Sequence, residues 1–445
     1  MQYAVLFDGE MQLSGAVGLA DVEAGIPLTT QHLFRVASHS KTFTGTAVLQ
    51  LVEAGKVRLD APLGDVLPEL ADAPSGVGSV TVRELLEHGG GVIRDGLDGD
   101  YWQLARPFPD EATLLEMARA DGVKVEPNTR FGYSNIGFSL LGLVIARASG
   151  QSYNDYVRRE IVERLGLENT DPELMPARAG DYAAGYTGFH TSLDRRPIAP
   201  IDTHAMSAAT GFTSTAEDLV RYIAAHRMGD DRLLTDASKR QQQRVAWQST
   251  PSKPESARYG LGMVVDEVAG RRAIGHSGGF PGYITYTLLL VDDGIALSVL
   301  TNAVDGPAAQ LALGVAKLLD GALGQPARVP LAAAQEPGVA GTSTTRFEGR
   351  FANVWGVVDI VRLGDRLLAI APGAADPLDS VDELAVVDDA TLRITKGDGF
   401  GSVDELVRYE FDAAGRVTSI RGFSGMTHWP FDLHGDPPFS APWPA

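Results

Sequence analysis

The chain has 445 residues, 44% of them hydrophobic and 21% charged, enough for two or three domains with a sizeable core. A net charge of −19 argues against nucleic acid or an anionic membrane surface as a partner, and the lack of cysteine rules out disulfides while leaving the redox compartment open. The 9 histidines are scattered without H-E-x-x-H or paired-ligand spacing, and no Walker or G-x-G-x-x-G pattern occurs, so neither a metal nor another cofactor is expected.

Taken in chain order, residues 3–8 and 11–18 read as two strands on either side of Asp8-Gly9. No basic segment followed by a long apolar run stands at the start, and no stretch of about 20 apolar residues occurs anywhere. A cytoplasmic protein is therefore expected, export requiring a start site other than Met1. Ser38-His39-Ser40-Lys41 then stands where a helix begins, with Thr44, Val48, Leu51 and Val52 at helical spacing and Gly55 placed to stop it. Residues three apart share a helix face, so the Ser38 hydroxyl and the Lys41 amine can meet. A serine becomes a nucleophile when a neighbouring base takes its proton, and a buried lysine with a depressed pKa is such a base. Ser40 is a poorer candidate, because Phe43 stands three residues on.

A mainly helical stretch is expected over 81–225, holding Tyr133-Ser134-Asn135 just before a helix over 136–148. Strands return at 259–265, 271–276, 283–291 and 295–301, and Gly275-His276-Ser277-Gly278-Gly279 lies on and just after the second of these. A helix over 307–323 would carry Leu311, Val315, Leu318, Leu319 and Ala322 on one face. Residues 327–344, rich in Ala, Pro and Gly, read as a linker between a first domain, 1–326, and a second, 345–445. In the second, short strands at 357–363, 366–370, 392–394, 406–411 and 417–423 suggest a small antiparallel barrel. The fold class is thus α+β: an antiparallel sheet from both ends of the first domain, backed by helices and set beside a helical region, plus the barrel.

Three short motifs in this order, S-x-x-K, Y-x-N and H-x-G, resemble the signature of the serine β-lactamase and penicillin-binding superfamily. The text around them is similar too: Leu33-Phe34-Arg35-Val36-Ala37-Ser38, Ala47–Lys56 and Phe212–Leu219. The likeness covers about residues 1–325 and points to the branch of class C β-lactamases, D-aminopeptidases, DD-peptidases and β-lactamase-like esterases. The barrel resembles the lipocalin-like domains attached to some D-aminopeptidases.

This resemblance implies that Ser38 forms an acyl-enzyme, that Lys41 shares its proton, and that Tyr133 is the general base or the relay to the leaving group. Asn135 would bond the substrate amide and Lys41, and His276 would stand where relatives carry a lysine. Gly278 and Gly279 would line the substrate strand, with the N–H groups of Ser38 and Gly279 as the oxyanion hole. His88, in Leu85-Leu86-Glu87-His88-Gly89, would be a packed structural residue. The implied activity is a serine hydrolase acting on small amides, D-amino-acid peptides or esters, with a homo-oligomer as a possible assembly. A histidine neutral near pH 7 would recognise a substrate carboxylate poorly, which disfavours an efficient β-lactamase. A weak β-lactamase or a silent penicillin-binding module is the alternative. A third reading makes Ser277 the nucleophile of an α/β-hydrolase elbow, G-x-S-x-G, but that motif needs a helix after the serine, where this sequence has a strand. Two expectations concern the barrel. Either it or a second subunit would cover the helix at 307–323, and a segment near 371–379 would reach the mouth of the site.

Overall fold

The computed structural model describes residues 1–189, 194–250, 257–323, 345–363, 366–372, 381–397 and 402–431. The two N-terminal strands, β1 (Gln2–Phe7) and β2 (Glu10–Ala16), form a hairpin whose turn takes positive φ at Asp8 and Gly9. They join β3 (Trp247–Gln248), β4 (Arg258–Tyr259), β5 (Val264–Val268), β6 (Arg271–Phe280), β7 (Tyr283–Leu290) and β8 (Ile295–Thr301) in one antiparallel sheet. Its order is β2-β1-β8-β7-β6-β5-β4-β3, so the first strand lies against the last. The register runs from Gln2 opposite Leu300 to Phe7 opposite Ile295.

Every residue of β8 is buried, because helices cover both faces of the sheet. Side chains alternate along a strand, so Ile295, Leu297 and Val299 face one way and Ala296 and Leu300 the other. The second set joins the main core with α1 (Ser40–Glu53), α2 (Asn135–Ser149) and α3 (Ala216–Ala224). Helix α1 is buried on nearly every side, as befits a helix at the centre of a domain, and Gly55 ends it at a φ of +69°. Thr215 caps α3, while the neighbouring Thr213 and Ser214 pair with Arg35 and Phe34 just ahead of Ser38.

Helix α4 (Ala308–Leu323) covers the other face, with only part of the stripe the sequence suggested. Ala308, Ala312 and Ala316 form the buried line, whereas Leu311 is 40% exposed. Small side chains let the helix lie close on the sheet, with Leu313, Val315 and Leu319 packing at its flanks and Met1 and Tyr3 covering its start. The side chains of Leu318 and Ala322 lie outside the described residues.

The C-terminal region is a closed eight-stranded antiparallel barrel. Its strands are β9 (Gly349–Asn353), β10 (Gly356–Leu363), β11 (Arg366–Ile370), β12 (Asp382–Asp388), β13 (Thr391–Lys396), β14 (Leu406–Phe411), β15 (Val417–Gly422) and β16 (Met426–Pro430). Closure comes from Phe351 opposite Pro430 and Ala352 opposite Trp429. Three of the eight, β9, β12 and β16, were not expected. The interior is filled by side chains such as Phe351, Ile360, Ile394, Val407 and Tyr409, leaving a packed core like that of other small barrels. The expected linker, 327–344, lies outside the described residues.

The barrel docks on the segment Asp98–Gln103. Arg421 bridges Asp98 and Asp100 at 2.5 and 2.8 Å. Gln103 Nε2 donates to the Thr427 carbonyl at 2.7 Å, and Gly99 N–H to the Gly425 carbonyl at 2.9 Å. These contacts lie beside the Ser38 cleft rather than over α4, which either the barrel or a second subunit was expected to cover. Most of the segment near 371–379 lies outside the described residues.

Candidate active site

Ser38 sits in a 3-10 turn, Ala37–His39, that runs directly into α1. Ala37 takes a left-handed φ of +50°, a strained conformation held by the surrounding core. Lys41 is in the first turn of α1 with no exposed surface. Its Nζ lies 3.1 Å from Ser38 Oγ, 2.7 Å from Asn135 Oδ1 and 2.8 Å from the Ala209 carbonyl. Burial holds its pKa well below the usual lysine range; Arg94 lowers it further and Asp95 opposes. A neutral amine has two N–H bonds and one lone pair. Asn135 and Ala209 accept the two N–H bonds, and the lone pair is left for the Ser38 proton.

Tyr133 donates to Ser38 Oγ at 2.9 Å, from the segment that leads into α2. Burial raises its pKa above the ordinary phenol value, so it holds its proton near neutrality. Lys41 is therefore the better resting base of the two. Asn135 is the first residue of α2, whose N-cap Ser134 accepts from Gly137 N–H at 2.8 Å. His88 is 2% exposed among Phe131, Tyr133, Phe138 and Tyr259, and its Nδ1 accepts from Ser134 N–H at 3.0 Å. It packs beneath the motif.

His276 lies on β6 with its ring buried. Its Nδ1 is 2.6 Å from the Ser277 carbonyl and its Nε2 is 3.0 Å from Tyr259 Oη. That pattern assigns the proton to Nδ1 and lets Nε2 accept from the tyrosine. Burial pushes its pKa well below the usual histidine value, with Lys41 adding to the effect. Gly278 does not point into the cleft. A Cβ there would stand 2.2 Å from the Val36 carbonyl, so its bareness lets β6 press against the turn that carries Ser38. Gly279 faces the cleft, where a Cβ would touch the Trp355 ring at 3.5 Å.

Ser277 is exposed in the middle of a strand that continues to Phe280 and turns through Gly282 into β7. No helix follows it, and both nitrogens of the neighbouring His276 ring are engaged elsewhere. The elbow context is missing.

A cavity of about 330 Å³ joins Ser38, Tyr133, Asn135, His276, Ser277 and Gly279. Sequence reasoning missed the rest of its wall: Arg94, Asp95 and Trp102 from the loop after His88, and Trp355, Ser424 and Met426 from the barrel. Trp355 donates through Nε1 to the Trp102 carbonyl at 3.2 Å, and the two rings meet edge to face at 6.3 Å. The turn before Met426 takes positive φ at Phe423, Ser424 and Gly425, and the Glu405 carboxylate receives the N–H groups of Ser424 and Gly425 at 3.0 and 2.8 Å. None of these residues belongs to a motif in the sequence.

A family model described as Beta-lactamase matches residues 1–320. Among curated proteins, Penicillin-binding protein 4 of Amycolatopsis lactamdurans is 29% identical over 312 residues, covering 67% of this chain and 79% of that protein. A D-aminopeptidase of Gluconobacter oxydans (strain 621H) is 26% identical over 362 residues, covering 79% of this chain and 64% of the enzyme. Among solved structures, an octameric penicillin-binding protein homologue from Pyrococcus abyssi superposes with a TM-score of 0.65 at 21% identity, covering 96% of this chain and 95% of that one. This likeness extends the shared fold through the barrel.

Proposed function

The chain belongs to the β-lactamase family of serine hydrolases, and we propose that it acylates on Ser38 and hydrolyses small amides, D-amino-acid peptides or esters. The observation that carries this reading is the position of Lys41 Nζ, bonded to Asn135 and Ala209 and within 3.1 Å of Ser38 Oγ. Ser38 passes its proton to neutral Lys41 as Oγ attacks the substrate carbonyl. The N–H groups of Ser38 and Gly279 receive the developing oxyanion. Tyr133 gives its proton to the leaving nitrogen or oxygen, the carbon–heteroatom bond breaks, and the Lys41 proton restores the tyrosine. Water then enters by the reverse route and frees the acid.

The D-aminopeptidase relative supports the substrate class. The buried, neutral His276 supports a preference for substrates without a carboxylate at that position, and the cavity is of a size suited to small ligands. The same reading divides the chain into a hydrolase domain, 1–326, and a barrel domain, 345–445, and the octameric relative supports a homo-oligomer.

The test is covalent labelling with a fluorophosphonate or a fluorescent penicillin, followed by peptide mapping. Label on Ser38 is expected. Label on Ser277, or none with either probe, would remove the assignment. Turnover of D- and L-amino-acid anilides, p-nitrophenyl esters and nitrocefin then ranks the substrates.

A further inference from the structure

Asp95 lies in the cavity wall, 2% exposed, and no motif pointed to it. Its Oδ1 accepts from Asn135 Nδ2 at 2.7 Å and from Trp102 Nε1 at 2.8 Å, and its Oδ2 pairs with Arg94 Nε at 3.1 Å. The backbone is held as well, since Tyr101 Oη donates to the Asp95 carbonyl at 2.8 Å. A carboxylate only accepts, so the Asn135 amide must turn its nitrogen toward Asp95 and its oxygen toward Lys41. The flipped amide would set oxygen against carboxylate and N–H against the amine. It would lose the bond to Asp95 and could meet Lys41 only by taking the lone pair that the Ser38 proton needs.

We propose that Asp95 is a positioning residue of this site: its carboxylate fixes the Asn135 amide in the orientation that holds Lys41 on Ser38. The proposal rests on the reading of Ser38 as nucleophile. Asp95 and Arg94 also act on Lys41 with opposite sign, Asp95 favouring the ammonium and Arg94 the neutral amine. The other titratable groups around Lys41 are Tyr133, His88 and His276, all kept uncharged by burial, while Glu405 of the barrel faces Asp95 and Arg94 from the far side. Trp102 joins the barrel to the same carboxylate, since its N–H rests on Asp95 and its carbonyl receives Trp355.

The test uses the full chain carrying 13Cε-lysine, with the Lys41 resonance assigned by its loss in Lys41→Arg. Asp95→Asn should move the Lys41 titration midpoint down and Arg94→Gln should move it up. Acylation by a fluorophosphonate should fall ~10- to 100-fold in Asp95→Asn, the scale of a misplaced catalytic group, with its acid limb shifted in the same direction as the midpoint. A shifted midpoint reports the lost charge, so acylation decides the positioning role: acylation unchanged in a folded Asp95→Asn overturns the proposal. If Asp95→Asn does not fold, Asp95→Ser decides, lowered acylation supporting the role and full acylation overturning it. Wild-type protein that no probe acylates would remove the hydrolase reading, and the Asn135 side-chain amide resonances, moved or unmoved by the Asp95 substitution, would still decide the role of Asp95.

Discussion

Along one wall of the cavity Ser38, Tyr133 and Asn135, with Lys41 buried behind them, stand at or just before helix starts packed in the core, whereas Trp355 and Ser424 line it from barrel turns. The first wall is rigid because its residues are over-determined: Lys41 alone has three partners, and Asn135 is bonded on both sides of its amide. The second wall is made of turns joined to the first by a handful of polar contacts. Chemistry that depends on tenths of an ångström suits the rigid wall, and selectivity, which tolerates adjustment, suits the other.

The contrast breaks most sharply at Ser38. Ser38→Ala should abolish covalent labelling and lower kcat by several orders of magnitude, while Ser277→Ala keeps both, as read by gel fluorescence and steady-state turnover. Retained turnover in Ser38→Ala would defeat the rigid-wall assignment. Next in size, Lys41→Ala and Tyr133→Phe should each cost roughly 10²-fold in kcat, the scale of lost general acid–base catalysis. In wild type, activity should be lost on the acid side as Lys41 gains its proton, at a pH well below the ordinary lysine value. An acid limb near ~10 would contradict a buried, neutral Lys41.

The barrel wall should respond differently. A chain ending near Pro326 should keep Ser38 reactive yet change its ranking among anilides and esters, and become less soluble where Trp102 is uncovered. Identical kinetics and stability would make the barrel an independent appendage. Trp355→Ala should shift the kcat/KM ratio between a large and a small acyl group by about tenfold, the scale of one lost apolar contact in a pocket. The smallest effect concerns Glu405, whose carboxyl is pushed up to about 7 by burial. A group with a raised pKa in the folded state gives stability at low pH that is lost as pH rises through that value. Thermal stability should thus decline between about pH 5 and pH 8, and Glu405→Gln should flatten the decline. A slope unchanged in the variant would assign it to another group.

The rigid wall was legible in the sequence because its geometry is local. Ser38 and Lys41 meet through three residues of helix, and Tyr133 and Asn135 share one segment. Asp95 was not legible: a buried carboxylate after a glycine run has no motif, and its meaning comes from Asn135, 40 residues on. Trp355 and Met426 were hidden for the same reason, since their partners in the helical region lie hundreds of positions away. In the barrel, β12 escaped notice because most of its side chains are partly or fully exposed, which erases the apolar alternation. For α4 the periodicity was correct and Val315 and Leu319 do pack on the sheet, but Leu311 is exposed. Leucines advertise a core, yet alanines made the close approach.

The pairing of Gln2–Phe7 with Ile295–Thr301 also bears on how the protein comes off the ribosome. Strand β1 must wait for the last strand of its sheet before its inner edge is satisfied. Meanwhile the helical residues between them are free to collapse, so the order of assembly is from the middle outward. Loop closure over such a span is slow, and an unpaired β1–β2 hairpin offers an open edge to other nascent chains during that interval. Expression yield should therefore depend on elongation rate and chaperone supply more steeply than the finished fold would suggest.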